Sequence, residues 1–468
     1  MTIPESAVEI AAAVRNRQSK ATEIVARSLD RIRQTQADLN AFTDVYDDEA
    51  MEAAQRIDAR IADGDTVGPL AGVPVAVKDF TPLKGKRTTY GSLAYKDNIG
   101  TFDPIYVQRL RAAGAIVVGK TNTPEFAHAG FCTNRVFGTT LNPWNTEHTP
   151  GGSSGGAGAA VGAHVVPLAE GTDMGGSIRI PAGYCGCVGL KPSLGRIPMD
   201  ILKSVHDTIS HFGPLARTVE DAWAFLNVTK GPDDVDPMSL PAQEIAFDAD
   251  GDVRGLKIGL SMDLGFFDVS DEVRAAVDRA AAVLRDAGAT VDPVDIAWDR
   301  SVADAMMKGW SVYLAAFEGH LLKDSKDLLD PGVACMFEDA FKTSAPEFKA
   351  IEMLRRRLWL DLVAIFKGHD ALICPTAPIT APLATMTDFD FGGETEDGKL
   401  IWAEMTHPFN FTAHCPALSV PCGVGALNLP IGLQVVGRRF DEETMFRIGR
   451  AVERGDLMAG HKPQILAA

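Results

Sequence analysis

Three short stretches of this chain carry groups suited to acyl transfer. Lys78 ends the β-prone run GVPVAVK, Ser153 and Ser154 sit side by side inside GGSSGG (151–156), and Ser177 lies inside GTDMGGSIRIP (171–181). A serine hydroxyl is a weak nucleophile at neutral pH, so a neighbouring base must take its proton. His128, His148, His206 and His211 lie in the same half of the chain, but none has a nucleophile-elbow signature beside it. A lysine serves as the base when burial keeps it neutral. A hydroxyl both donates and accepts, so one serine can relay a proton between a lysine and a second serine. The glycines before Ser177 allow a tight turn that aims several backbone N–H groups at one point, where they would stabilise an oxyanion. GGSSGG alone describes a flexible connection, and no Gly-Lys-Ser/Thr follows it as a phosphate-binding loop requires. Only the three stretches together point to acyl transfer.

Such groups need a scaffold to bring them together. Residues 5–16, 21–38 and 47–63 have apolar residues at helical spacing or are rich in Ala, Glu and Arg, and read as helices. A β-prone run at 72–77, a helix at 105–113 and a buried-strand pattern at 115–119 follow. The stretch 150–195 is dominated by Gly, Ser and Ala, with an apolar run at 159–169. The acidic, Pro-bearing segment 231–254 reads as a surface connection. A strand at 256–260, a helix at 271–287, long helices through 301–322 and 346–367, and a strand at 371–375 complete the pattern. Residues 385–400 are polar and Gly-bearing and read as a mobile loop. Alternation of this kind predicts an α/β architecture.

The chain has 468 residues, of which 46% are hydrophobic and 23% charged, with a formal net charge of −17. This is a globular composition with material for a large core. The negative balance speaks against nucleic acid as the main partner and mildly against a strongly anionic substrate. The seven cysteines are odd in number and scattered, so no disulfide framework is expected. Cys185 and Cys187 have no matching pair at zinc-like spacing, and no metal site is expected. No signal-type apolar core opens the chain and no window reaches membrane-spanning length, so the expected setting is cytoplasmic and free of membrane.

PGGSSGGAGAAV (150–161) and PLAEGTDMGGSIRIPAGYCGCVGLKPSLGRIP (167–198) resemble the core of the amidase signature family of serine hydrolases. The likeness extends through GVPVAVKDF (72–80), GKTNTPEFA (119–127), FGTTLNPWN (137–145), HFGPLARTVEDAW (211–223), DALICPTAP (370–378), PALSVPCG (416–423) and LPIGLQVVG (429–437). It spans essentially the whole chain. It implies one domain over 1–468, with N-terminal helices at 1–65, a signature core at 70–230 and a second α/β portion at 255–468. A central twisted mixed β-sheet would be flanked by helices on both sides. Ser177 matches the family's nucleophile, Ser153 its bridging serine on a cis peptide bond, and Lys78 its base. The backbone amides of Met174, Gly175, Gly176 and Ser177 match the oxyanion hole. Ser154 matches a supporting position near the lysine. Asp173 and Arg179 match a buried charge pair that shapes the loop, weighed here above direct substrate contact. Thr172 and Asn122 are read as structural hydrogen bonders, and Cys185 and Cys187 as packed behind the loop.

The resemblance implies hydrolysis of a C–N amide-type bond through an acyl-enzyme, giving an acid plus an amine or ammonia, with no metal or organic cofactor. Aryl amides, hydrazides, carbamates (urethanes) and esters present a similar carbonyl. The expected partner is a small, neutral, apolar amide or carbamate. Phe80, Phe131, Cys132, Trp402 and Phe409 are expected in the pocket, whose wall is drawn from 80–83, 126–134 and the polar loop 385–404, with Arg135 the one nearby cation. One rival is the glutaminase subunit of a tRNA-dependent amidotransferase, whose usual DTG is replaced here by DMG (173–175). A non-catalytic binding protein is another, disfavoured because all three catalytic positions are occupied. Family members often pair, so a homodimer is expected.

Overall fold

The run PVAVK has no polar alternation, the mark of a strand covered on both faces. Among the described residues it forms one of thirteen strands: β1 Phe42–Val45, β2 Pro74–Lys78, β3 Ile116–Thr121, β4 Thr133–Asn134, β5 Gly138–Thr139, β6 Leu168–Asp173, β7 Val188–Lys191, β8 His211–Ala216, β9 Lys257–Leu260, β10 Thr290–Pro293, β11 Ala371–Pro375, β12 Ala417–Val424 and β13 Pro430–Gly437. These come from a computed structural model that describes residues 5–466. All five residues of β2 are buried. Eleven strands form one sheet in the order β1-β3-β2-β6-β8-β7-β12-β13-β11-β9-β10, and β4-β5 is a separate short hairpin. β2 runs parallel to β3 and β6, while β6-β8-β7-β12-β13-β11 is antiparallel throughout. β11-β9-β10 is parallel again. The fold is α/β, with a large mixed sheet packed among helices.

This topology sets the site. Because β2 and β6 are parallel neighbours, their C-terminal ends share one edge of the sheet. Lys78 ends the first and Thr172-Asp173 end the second. In α/β sheets that edge is where ligands bind. The serine pair precedes a helix, Gly155–Gly162, whose residues are all buried. Its small side chains let it lie close to the sheet. A Cβ at Gly156 would run into the backbone N of Asn122, at the end of β3. The apolar run 159–169 is thus divided between the end of this helix and the start of β6.

The outer helices show ordinary amphipathic logic. Asp271–Asp286 buries Val273, Ala276, Val277, Ala280, Ala281 and Leu284, one stripe at helical spacing. Glu442–Arg454 buries Met445, Phe446, Ile448 and Val452 and packs on β12 and β13. The helix expected through 301–322 ends at Glu318, and a short turn Leu321–Asp324 follows. The polar stretch 385–400 is anchored at several points. Gly130 N donates to the Asp388 carboxylate, Arg300 Nη1 donates to Gly392 O at 2.9 Å, and buried Leu400 bridges to Phe267.

Candidate active site

Lys78 is fully buried, and its Nζ donates to three hydroxyls: Ser153 Oγ at 2.6 Å, Thr172 Oγ1 at 2.9 Å and Ser154 Oγ at 3.0 Å. Burial pushes the lysine down to about 7, with nearby Glu170 opposing part of the shift. Three hydroxyls suit both forms of the amine, because each accepts from an N–H or donates to the free lone pair. Glu170 sits beneath. It accepts Lys78 N–H at 3.0 Å and the hydroxyls of Thr81 and Tyr106 at 3.0 and 3.2 Å. Ser154 is fully used as a brace: its Oγ accepts from Thr172 N and donates to Thr172 O, both at 3.3 Å. Thr172 therefore touches the lysine itself, beyond the purely structural part expected of it. Asn122 does stay structural, donating to Gly138 O and Thr140 Oγ1.

The peptide bond Gly152–Ser153 is cis. Ser153 and Ser177 line the same cavity. The Lys78–Ser153 leg of the expected relay is a hydrogen bond, whereas the Ser153–Ser177 leg is not one in this structure. Ser177 is 7% exposed and has no hydrogen-bond partner for its hydroxyl among the described residues. Its backbone carbonyl accepts from Ser154 N at 3.2 Å, which fixes the two serine loops together.

The loop bearing Ser177 is held by a buried ion pair. Arg179 Nε and Nη2 donate to the two carboxylate oxygens of Asp173, both at 2.9 Å. Asn410 Nδ2 adds a bond at 2.8 Å, and Arg179 Nη1 reaches Thr406 O at 2.9 Å and Gln434 Oε1 at 2.5 Å. Burial raises the Asp173 carboxyl, but the Arg179 guanidinium outweighs it and holds the group well below the usual carboxylate range. Thr406 also braces the next residues, with Oγ1 2.7 Å from Gly175 O. Gly176 has φ +138°, and a Cβ there would overlap Thr406 Oγ1 and lie 2.7 Å from Thr406 Cβ. Only glycine suits that position. The N–H groups of residues 174–177 enter none of the backbone bonds of the flanking strand and helix among the described residues.

Two cavities meet at Ser177. The larger, about 750 Å³ with the space open to solvent included, is walled by Phe131, Tyr184, Met306, Trp310, Phe391 and Trp402, together with Asp388, Glu404 and His407. The smaller, about 460 Å³ on the same basis, is walled by Phe80, Phe126, Leu202, Phe212, Leu314 and Phe317, with Ser153, Thr172 and His211. Ser177 and Trp310 border both. His211 is held between carbonyls, with ring nitrogens 3.3 Å from Asp173 O and 3.2 Å from Ala413 O.

Of the aromatics expected in the wall, Phe131 and Trp402 face the larger cavity and Phe80 the smaller. Cys132 and Phe409 face neither, and both assignments are corrected. Cys132 is 1% exposed and pressed against Gly155 of the serine loop, where burial pushes its thiol up to about 11. Phe409 is buried with its ring 5.9 Å from that of Trp298, in the core. Arg135 donates to Asp327 O and Leu329 O, outside both cavities. Cys185 and Cys187 are buried, and Cys185 Sγ donates to Pro150 O just before the serine loop. Sequence reasoning missed Trp310 and Met306, which an otherwise ordinary amphipathic helix brings in, and the polar group Asp388, Glu404 and His407. The signal for Asp388 and Glu404 was the polar segment 385–404 itself, and His407 lies just beyond it. Among the described residues, no group of three or more His, Cys, Asp or Glu is placed to hold a metal ion, and no helix is long and apolar enough to cross a membrane.

Comparison with known proteins agrees with the geometry. The sequence profile of the Amidase family matches residues 23–446. An acylamidase of Rhodococcus erythropolis is 34% identical over 463 residues, covering 98% of this chain and 97% of the relative. A glutamyl-tRNA(Gln) amidotransferase subunit of Synechococcus sp. (strain CC9605) is 35% identical over 477 residues, covering 94% of each. The crystal structure of a bacterial aryl acylamidase of the amidase signature enzymes superposes with a TM-score of 0.90 at 32% identity, covering 96% of both chains. The chain belongs to the amidase family and is a hydrolase of amide bonds.

Proposed function

We propose that this chain cleaves small-molecule amides or carbamates with an aromatic or apolar half, through an acyl-enzyme on Ser177. Neutral Lys78 takes the proton of Ser153 as Ser153 takes that of Ser177, and Ser177 Oγ bonds to the carbonyl carbon. The closing of the Ser153–Ser177 leg belongs to the substrate complex, since catalytic hydrogen bonds are often loose without substrate. The oxyanion is received by the amides of residues 174–177. The proton returns along the same line to the leaving nitrogen, the C–N bond breaks, and an amine or ammonia departs. Water then attacks the ester with the same base and releases the acid. Ser154, Asp173 and Arg179 act as positioning residues.

One observation carries this reading: a buried amine against three hydroxyls, two of which, Ser153 and Thr172, line the cavity that Ser177 borders. A second observation separates it from the glutaminase reading. Among the described residues no Lys or Arg lines either cavity, so no such cation is there to hold the carboxylate of free glutamine, and the carboxyl groups of Asp388 and Glu404 disfavour it. Urethane cleavage belongs to the same proposal, because a carbamate offers the same carbonyl. So do the cytoplasmic setting, supported by seven scattered cysteines, and homodimer pairing, which light scattering measures.

The test is a panel of anilides, alkyl amides, aryl carbamates and glutamine, assayed with wild type, Ser177→Ala and Lys78→Ala. Anilide or carbamate turnover that both substitutions abolish is the expected result. Faster ammonia release from glutamine than from any anilide would move the chain to the rival class, and turnover without residue 78 would mean that another base operates.

A further inference from the structure

The larger cavity holds two carboxyl groups and no cation to answer them. Among the described residues, neither Asp388 nor Glu404 is paired with a lysine or arginine, and neither lysine nor arginine lines the cavity. The two acids differ. Glu404 is fully engaged: it accepts Trp402 Nε1 at 3.1 Å, His407 Nδ1 at 2.9 Å, Thr406 N at 2.8 Å and Thr406 Oγ1 at 2.5 Å. It organises the wall. Asp388 has one donor, Gly130 N, shared between its oxygens at 3.2 and 3.3 Å. Its enclosed setting pushes the carboxyl up to about 7, helped by the charge of Glu404 and opposed by the Gly130 bond.

His407 adds an independent observation. It lines the same cavity, is 2% exposed, and its Nε2 is buried with no hydrogen-bond partner among the described residues. With Nδ1 engaged by Glu404, Nε2 is the ring nitrogen left open to a ligand. The donors of Tyr184 and Trp402 are already committed, to Ala403 O and to Glu404. The remaining wall is aromatic. Phe131 and Phe391 stack with ring centroids 6.1 Å apart, and Trp310 and Trp402 face the same space. A sparsely bonded carboxyl among π faces, with no lysine or arginine beside it, suits a positively charged nitrogen with several N–H groups on an apolar frame.

The geometry points to a substrate whose half in this cavity carries a second nitrogen, a protonated amine, received by Asp388 and His407 Nε2 between the aromatic faces. The substrate class is then the amides or carbamates of amino-bearing aryl or alkyl groups. This deepens the reading given under Proposed function and rests on it. The net charge of −17 acts in the same direction, drawing cations toward the molecule.

The test compares para-(aminomethyl)acetanilide, para-methylacetanilide and para-acetamidobenzoate with wild type and Asp388→Asn. In wild type the ammonium compound should exceed its methyl counterpart in kcat/KM by about tenfold, and the carboxylate should be poorest. Asp388→Asn should bring the ammonium-to-methyl ratio close to unity. A wild-type ratio at or below unity overturns the inference, as does a ratio unchanged by the substitution. Calorimetric binding of benzylammonium against benzyl alcohol needs no turnover. Tighter binding of the ammonium by wild type, lost in Asp388→Asn, supports the inference, and equal binding by wild type overturns it. If the methyl anilide is cleaved through Ser177 without any ammonium preference, only this inference fails. If ammonium binding holds but none of the anilides is cleaved, the aryl-amide part of the reading given under Proposed function fails instead.

Discussion

The two sides of Ser177 are built on opposite principles. On the proton-transfer side nearly every buried polar group is answered. Lys78 faces three hydroxyls, Glu170 takes three donors, and Asp173 is held by Arg179 and Asn410. On the recognition side Asp388 has a single long bond and His407 Nε2 has none among the described residues. A completed buried network has one low-energy arrangement and behaves as a rigid unit. An incomplete one is left for the ligand to complete. On the reading proposed above, chemistry is set by the first side and specificity by the second.

Substitutions can break this contrast, and the largest effect falls on the nucleophile. Ser177→Ala should lose about ten-thousandfold in kcat, read in single-turnover assays, with the fold kept by circular dichroism. A smaller loss would mean that a different group attacks. Asp173→Asn should come next. It leaves the Arg179 guanidinium buried without its charge partner, at a cost of about 3–5 kcal/mol in denaturant unfolding. Unchanged stability would show that Asn410 and Gln434 suffice to hold the arginine.

Gly176→Ala should lower kcat about a hundredfold with less effect on KM, because its methyl would displace the loop from Thr406 and misplace the amides of residues 174–177. Normal kcat would remove those amides from the mechanism. The pH profile should move about tenfold per unit on its acid side. Burial holds Lys78 down to about 7, and only the neutral amine accepts a proton. kcat/KM should therefore fall as pH drops below that value and level off above it. A profile flat through neutrality would exclude residue 78 as the base. Trp402→Leu should act least, raising KM about threefold to tenfold with kcat nearly unchanged, because it removes apolar contact on the recognition side alone.

Much of the reactive side was legible because its signals are local. A lysine closing a hydrophobic run, two serines among glycines, and DMGGS before an arginine each state a backbone requirement within a few residues. The parallel β2 and β3 could be read from continuous apolar runs, and the amidase resemblance extended that to the mixed sheet. Elsewhere local signals misled. The antiparallel centre, β7, β8, β12 and β13, was not read as strands, since Pro214, Pro421 and scattered glycines interrupt its pattern. The residue types of Cys132 and Phe409 suit a pocket wall as well as a core, and nothing in their spacing distinguishes the two.

The amino-acid sequence by itself pointed to acyl transfer, through the residue types of three stretches, and its resemblance to the amidase signature family implied the amide bond. The tertiary structure alone decided the shape and polarity of the space around Ser177. Asp388 meets Gly130 across 258 positions of chain, and Thr406 seats on Gly175 across 231. Contacts of that range depend on how the helix Ser301–Glu318 and the segment 385–407 pack against the sheet edge. Packing is a property of the whole core, and periodicity within one segment carries no record of it.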